Sequence, residues 1–74
     1  MQLNEVLKTM RLRAGLTQTE SAKELGVDQT AISQWESGET SPRLERIASI
    51  AKLYKCEITD LLNPDDSLVF LHKQ

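Results

Sequence analysis

Residues 17–35 read TQTESAKELGVDQTAISQW, and this stretch decides the fold. Thr17 followed three residues later by Glu20 forms a capping box, in which each side chain satisfies a backbone N–H that the first helical turn leaves open. A helix therefore begins near Gln18, and it stops at Leu25, because Gly26 offers the positive φ that other residues resist. Asp28 is a good N-cap for the next helix, which runs through Ile32 and Trp35 and stops at Gly38. Only Gly26-Val27-Asp28 separates the two helices. So short a connection makes them cross steeply, and Ala22, four residues before Gly26, supplies the small side chain a crossing needs. Leu25, Val27, Ile32 and Trp35 supply the apolar contacts that lock the pair. The spacing predicts a helix-turn-helix. That geometry alone serves generic αα-corners as well as DNA readers.

Working outward, Leu3, Leu7, Met10 and Ala14 recur at helical intervals with Val6 beside them, which predicts a first helix of about residues 3–14 ended by Gly15. Downstream, Ser41-Pro42 reads as an N-cap followed by proline at the first helical position. Leu44, Ile47, Ala48, Ala51 and Tyr54 then give one apolar face down to about residue 54. Thr59 is the expected cap of a short last helix containing Leu61 and Leu62, closed by Asn63-Pro64. After the polar Asp65-Asp66-Ser67 comes an apolar, strand-like tetrad, Leu68-Val69-Phe70-Leu71. The expected architecture is all-α: five helices in a domain over residues 1–64, with a tail over 65–74.

Composition narrows the function. With 74 residues and 39% hydrophobic side chains, the chain is one small domain, too small for a deep enclosed active site. No apolar run approaches the ~20 residues that span a bilayer, so no membrane role is expected. The opening Met1-Gln2-Leu3-Asn4-Glu5 has no basic and apolar signal pattern, and the single cysteine, Cys56, makes no disulfide within the chain; both fit a cytoplasmic protein. His72 lies in the polar end of the tail, away from any cluster at metal-ligand spacing. No nucleophile–base pair and no glycine-rich phosphate loop is present either. Catalysis, cofactor, metal and small-molecule ligand therefore have no candidates. Nine Lys+Arg against eleven Asp+Glu leave a net charge of −2, which opposes phosphate binding unless cations gather on one face.

The string Gly15-Leu16-Thr17-Gln18, Ala22, Leu25-Gly26-Val27, Ile32-Ser33-Gln34-Trp35-Glu36-Ser37-Gly38, Pro42 and Ile50-Ala51 resembles the Cro/phage-repressor (lambda-repressor-like) helix-turn-helix family over roughly residues 3–62. The resemblance implies a five-helix DNA-binding domain of a transcriptional regulator, usually dimeric on a two-fold symmetric operator. By position, the third helix matches the family's recognition helix, whose N-terminal half enters the major groove. Gln29, Thr30, Ser33 and Gln34 point away from the Ile32/Trp35 side, and their amides and hydroxyls suit base edges. The resemblance gives Gln18, at a helix N-terminus, and Arg43 contacts to the DNA backbone, and the hydroxyls of Ser37 and Ser41 are candidates for neutral hydrogen bonds to phosphate. It also implies a salt bridge between Arg11 and Glu36 that supports the recognition helix.

Some residues depart from the family pattern. Ser21 replaces a usual leucine, and its hydroxyl is expected to back-bond to the carbonyl of residue 17. Lys55 stands where glycine usually ends the fourth helix and is expected at positive φ. Cys56 reads as a small core residue, and Glu39 as a loop carboxylate that repels phosphate. The tetrad Leu68, Val69, Phe70 and Leu71 needs cover, either from the chain's own fourth and fifth helices or across a two-fold axis; apolar on both alternating faces, it is the candidate dimerisation element. The leading expectation is thus a homodimeric repressor on a palindromic operator. Its rival is a protein-interaction module, such as an antitoxin-like adaptor, that keeps the fold; the acidic balance and Glu39 speak for it.

Overall fold

The computed structural model describes residues 2–63. Five helices follow in chain order: α1 (Leu3–Arg13), α2 (Gln18–Leu25), α3 (Gln29–Ser37), α4 (Leu44–Tyr54) and α5 (Ile58–Leu62). The described residues form no strand. The all-α, five-helix expectation holds; the tail tetrad Leu68–Leu71 lies outside the described residues.

The helix-turn-helix is built as its spacing predicts. Thr17 Oγ1 accepts the Glu20 N–H at 3.0 Å, and the Thr17 N–H donates to the Glu20 carboxylate at 2.9 Å. The Thr17 backbone N–H, and after it the Thr17 side chain, hold the Glu20 carboxyl below the usual carboxylate range. Gly26 closes α2 at φ 70°, in the left-handed region where a side chain is strained. Asp28 occupies the N-cap place of α3 without a side-chain cap bond.

Three local expectations change. Helix α4 starts two residues later than Ser41-Pro42 implies: Arg43 is the N-cap, extended at φ −71° and ψ 161°, and its carbonyl accepts the Arg46 and Ile47 N–H groups. The Pro42 ring is buried beside the core instead of opening the helix. The buried face of α4 is Ile47, Ile50, Ala51 and Tyr54, whereas Leu44 is 64% exposed and Ala48 also faces water. Helix α5 is capped from Glu57, whose N–H donates to the buried Asp60 carboxylate at 3.0 Å, so Thr59 lies within the helix.

The Ser21 hydroxyl does not back-bond to residue 17. It pairs instead with the Tyr54 hydroxyl at 2.5 Å, where both side chains are buried. A buried hydroxyl needs a partner, and the phenol arriving from α4 brings one that the local turn need not supply. Around this pair the core gathers Val6, Leu7, Met10, Ala22, Leu25, Ile32, Ile50 and Leu61. Lys55 ends α4 at φ 57° and ψ 44°, as expected from its place after the helix. Cys56 packs against the core, and desolvation pushes its thiol up to about 11, the nearby Asp60 and Glu57 carboxylates adding to the effect.

Candidate nucleic-acid interface

Helix α3 has two unlike faces. Ile32 is buried, and Trp35 packs half-buried against the same core. On the other side Gln29, Thr30 and Ser33 are exposed, while Gln34 is half-buried. Positions 29 and 33 are one turn apart, and 30 lies between them on the surface, so amide and hydroxyl tips form one patch. Ser37 is exposed at the end of the helix, where its hydroxyl donates to the Gln34 carbonyl at 3.1 Å and accepts the Glu39 N–H at 3.4 Å. Helix α3, which carries this patch on its outer side, packs most on α1 and α2.

What holds it is a buried ion pair. Arg11 Nε donates to Glu36 Oε2 at 2.6 Å and Nη2 to Oε1 at 2.9 Å, a two-pronged match of guanidinium to carboxylate. Its Nη1 donates to the Leu16 carbonyl at 2.7 Å, so the loop after α1 is tied to the same group. Both side chains are almost fully shielded, at 7% and 5% exposure. Hydrogen bonding to Glu36 raises the Arg11 guanidinium further above its already high range, against the opposing effect of desolvation. The guanidinium therefore stays charged, and the pair pins α1 to the C-terminal half of α3.

The same carboxylate continues toward the exposed patch. Gln18 Nε2 donates to Glu36 Oε1 at 3.1 Å, and Gln29 Nε2 donates to Gln18 Oε1 at 2.6 Å. Arg11, Glu36, Gln18 and Gln29 thus form one connected chain from buried pair to surface amide. Arg43 stands apart from it, exposed at the N-cap of α4, on a shallow cleft lined by Trp35, Ser41, Glu45 and Arg46.

Two supporting residues are not evident in the sequence. Asn4 Nδ2 donates to the Glu36 carbonyl at 3.3 Å, across thirty-two residues of chain, and Arg46 Nη1 donates to the Leu25 carbonyl at 2.8 Å, at the C-terminal end of α2. No local pattern announces a contact of such separation, although a cation near a helix C-terminus is a favourable placement. The contact between Gln18 and Gln29 was likewise hidden, since each glutamine reads separately as an exposed polar residue. Among the described residues no group of His, Cys, Asp or Glu is placed to hold a metal ion, and no helix is long and apolar enough to cross a membrane.

Known proteins share this fold. A helix-turn-helix family profile matches residues 7–61. The HTH-type transcriptional activator BcrR of Enterococcus faecalis is 39% identical over 66 residues, covering 89% of this chain and 32% of the activator. An HTH-type transcriptional regulator of Archaeoglobus fulgidus is 35% identical over 60 residues, covering 81% of this chain and 86% of that protein. The c2 repressor of phage P22, solved in complex with a synthetic operator, superposes with a TM-score of 0.79 at 32% identity, over 85% of this chain and 96% of that one. This chain spans from about a third to about a half of the length of most curated relatives it matches. With the motif string, the five-helix order and the profile in agreement, the chain belongs to the Cro/C1-type helix-turn-helix family of transcriptional regulators, a family of DNA-binding proteins rather than enzymes.

Proposed function

We propose that this chain is a sequence-specific DNA-binding repressor that acts as a homodimer on a palindromic operator. The observation that carries the reading is the exposed patch of Gln29, Thr30 and Ser33 on a helix braced by the buried Arg11–Glu36 pair. Groove recognition needs polar tips presented at a fixed angle, and this brace supplies the angle. In the proposed mechanism the N-terminal half of α3 lies in the major groove. Gln29 reads adenine through N6 and N7, Thr30 meets a base edge or a thymine methyl, and Ser33 and Gln34 extend the contact. Gln18, Ser37 and Arg43 hold the sugar-phosphate backbone on either side. Occupying an operator within a promoter then excludes polymerase.

The net charge of −2 makes sequence-independent attraction weak. Affinity then depends on two domains binding together, which is why a dimer is part of the proposal. The apolar tail residues Leu68, Val69, Phe70 and Leu71 are assigned to the two-fold contact. Ile58 and Leu62, exposed and one turn apart on α5, are the exposed large apolar residues nearest to them in the chain among the described residues. Selection of bound duplexes from a random library tests the whole reading. The expected product is an inverted repeat with half-site centres about 34 Å apart, one turn of DNA. Recovery of unenriched sequence would favour the protein-interaction reading, to which the acidic balance and the exposed Glu39 lend support.

A further inference from the structure

The loop that leaves α3 is exposed over residues 37–41 and closes where Pro42 goes inward. Most of its own tethering falls on one acceptor. The Gln34 carbonyl takes the Gly38 N–H, the Glu39 N–H at 3.0 Å, the Thr40 N–H at 3.3 Å and the Ser37 hydroxyl at 3.1 Å. A carbonyl has two lone pairs, so these donors share it and none is held firmly. The loop's internal bonds therefore leave its pitch loosely set. The Glu36 carbonyl, among those that the last helical turn leaves open, is served from outside. Asn4 Nδ2 reaches it from α1 at 3.3 Å. The same amide rests against Gly38: a Cβ at that position would stand 3.5 Å from Asn4 Cγ and 3.7 Å from both Nδ2 and Oδ1. About two turns further along α1, Arg11 holds the Glu36 carboxylate, so one helix grips this residue by main chain and side chain.

Resting on the proposal that this face binds duplex DNA, we infer that Asn4 is a positioning residue for the loop between α3 and α4. Fastened to the Glu36 carbonyl and resting on Gly38, it fixes where residues 37–41 meet the sugar-phosphate backbone. The exposed hydroxyls of Thr40 and Ser41 can donate to phosphate oxygens, and such a bond holds only within about 3.0 Å. A loop free to tilt by about an ångström loses it. Base reading stands apart from this. Thr30 and Ser33 lie in the N-terminal half of α3, and the Arg11–Glu36 pair keeps that helix docked when the Asn4 amide is gone. Asn4 thus serves affinity for the backbone and leaves sequence preference alone.

The test uses the full chain on an operator selected from a random library, with ethylation interference to map phosphates and titrations to read affinity. Phosphates whose interference Arg43→Ala removes mark the loop side of the half-site, and those that Gln18→Ala removes mark the α2 side. Asn4→Leu keeps the size of the side chain and deletes its donor. It is expected to lose interference on the loop side and keep it on the α2 side. Binding to every duplex weakens about two- to tenfold, the scale of one hydrogen bond, while base preferences and helical circular dichroism stay native. If Asn4→Leu does not fold, Asn4→Ala, smaller and equally without a donor, carries the same comparison. A loop-side map unchanged in the folded variant overturns the inference. Loss on both sides, or an altered base preference, marks a role in the domain as a whole and overturns it too. A native map without loop-side phosphates also overturns it while leaving sequence-specific binding intact. A chain that enriches no sequence at all sinks the regulator reading itself, a separate result.

Discussion

At the residue scale, side chains that look alike in the sequence divide by what they touch. Gln29 and Arg43 are both exposed and polar, yet one sits on the helix face assigned to the bases and the other at the N-cap of α4. Gln29→Ala is expected to cost about 1–3 kcal/mol at one operator position and to relax the preference there. Arg43→Ala should weaken binding to all sequences alike and reduce the slope of log K against log salt by about 1. Titrations at several salt concentrations, with native and substituted operators, separate the two. Arg11 behaves differently again. Arg11→Met strands the Glu36 carboxylate, at 5% exposure, and is expected to cost about 3–5 kcal/mol in denaturant melts. Cys56 gives a pH prediction. Its thiol is pushed up to about 11, so it is protonated at neutral pH and should alkylate slowly in the folded chain. Because the folded state holds this proton more tightly, the contribution is intact below the ordinary thiol range and is lost as pH rises through about 11. Melts of native chain and Cys56→Ala across that range should converge in pH dependence only below it.

At the element scale, helix ends and helix contacts were legible to different degrees. The Thr17–Glu20 box and the glycine stops are local, so residues 17–38 announce α2 and α3 almost to the residue. Starts decided by burial were less legible. Pro42 goes inward, and α4 therefore opens at Leu44, while the buried Asp60 draws the α5 cap back to Glu57. Lys55 holds the left-handed end of α4 without being glycine. Lys55→Gly should relieve about 1 kcal/mol of strain and raise the melting temperature by a few degrees. The clasp between α2 and α4, Ser21 to Tyr54, offers a second test. Ser21→Ala leaves a buried phenol without its partner and is expected to cost about 1–3 kcal/mol. Tyr54→Phe added to it should recover much of that loss, and a double-mutant cycle by thermal melts reads the coupling.

At the scale of the whole molecule, the proposal is that two weakly attracted domains become one selective binder by pairing. A chain ending at residue 66 should keep its helical circular dichroism and lose dimer mass in light scattering. Its affinity for a half-site should stay near that of the full chain, while binding to the inverted repeat falls, since the second contact is no longer intramolecular. A dimer unchanged by the truncation would move the two-fold contact onto the helices, where Ile58 and Leu62 are exposed.

The amino-acid sequence determined the five-helix order, the tight turn between α2 and α3, and the residue types on the outer face of α3. Those features arise from caps, glycine stops and 3.6-residue periodicity, all interactions between near neighbours in the chain. Tertiary structure alone decided that Ser21 meets Tyr54, that Asn4 holds the end of α3, and that Gln18 links Glu36 to Gln29. Each of these joins groups from different helices. Only the packed fold brings these groups within hydrogen-bond reach, with Ser21 and Tyr54 shut away from water, and no local pattern records which partner the fold will bring.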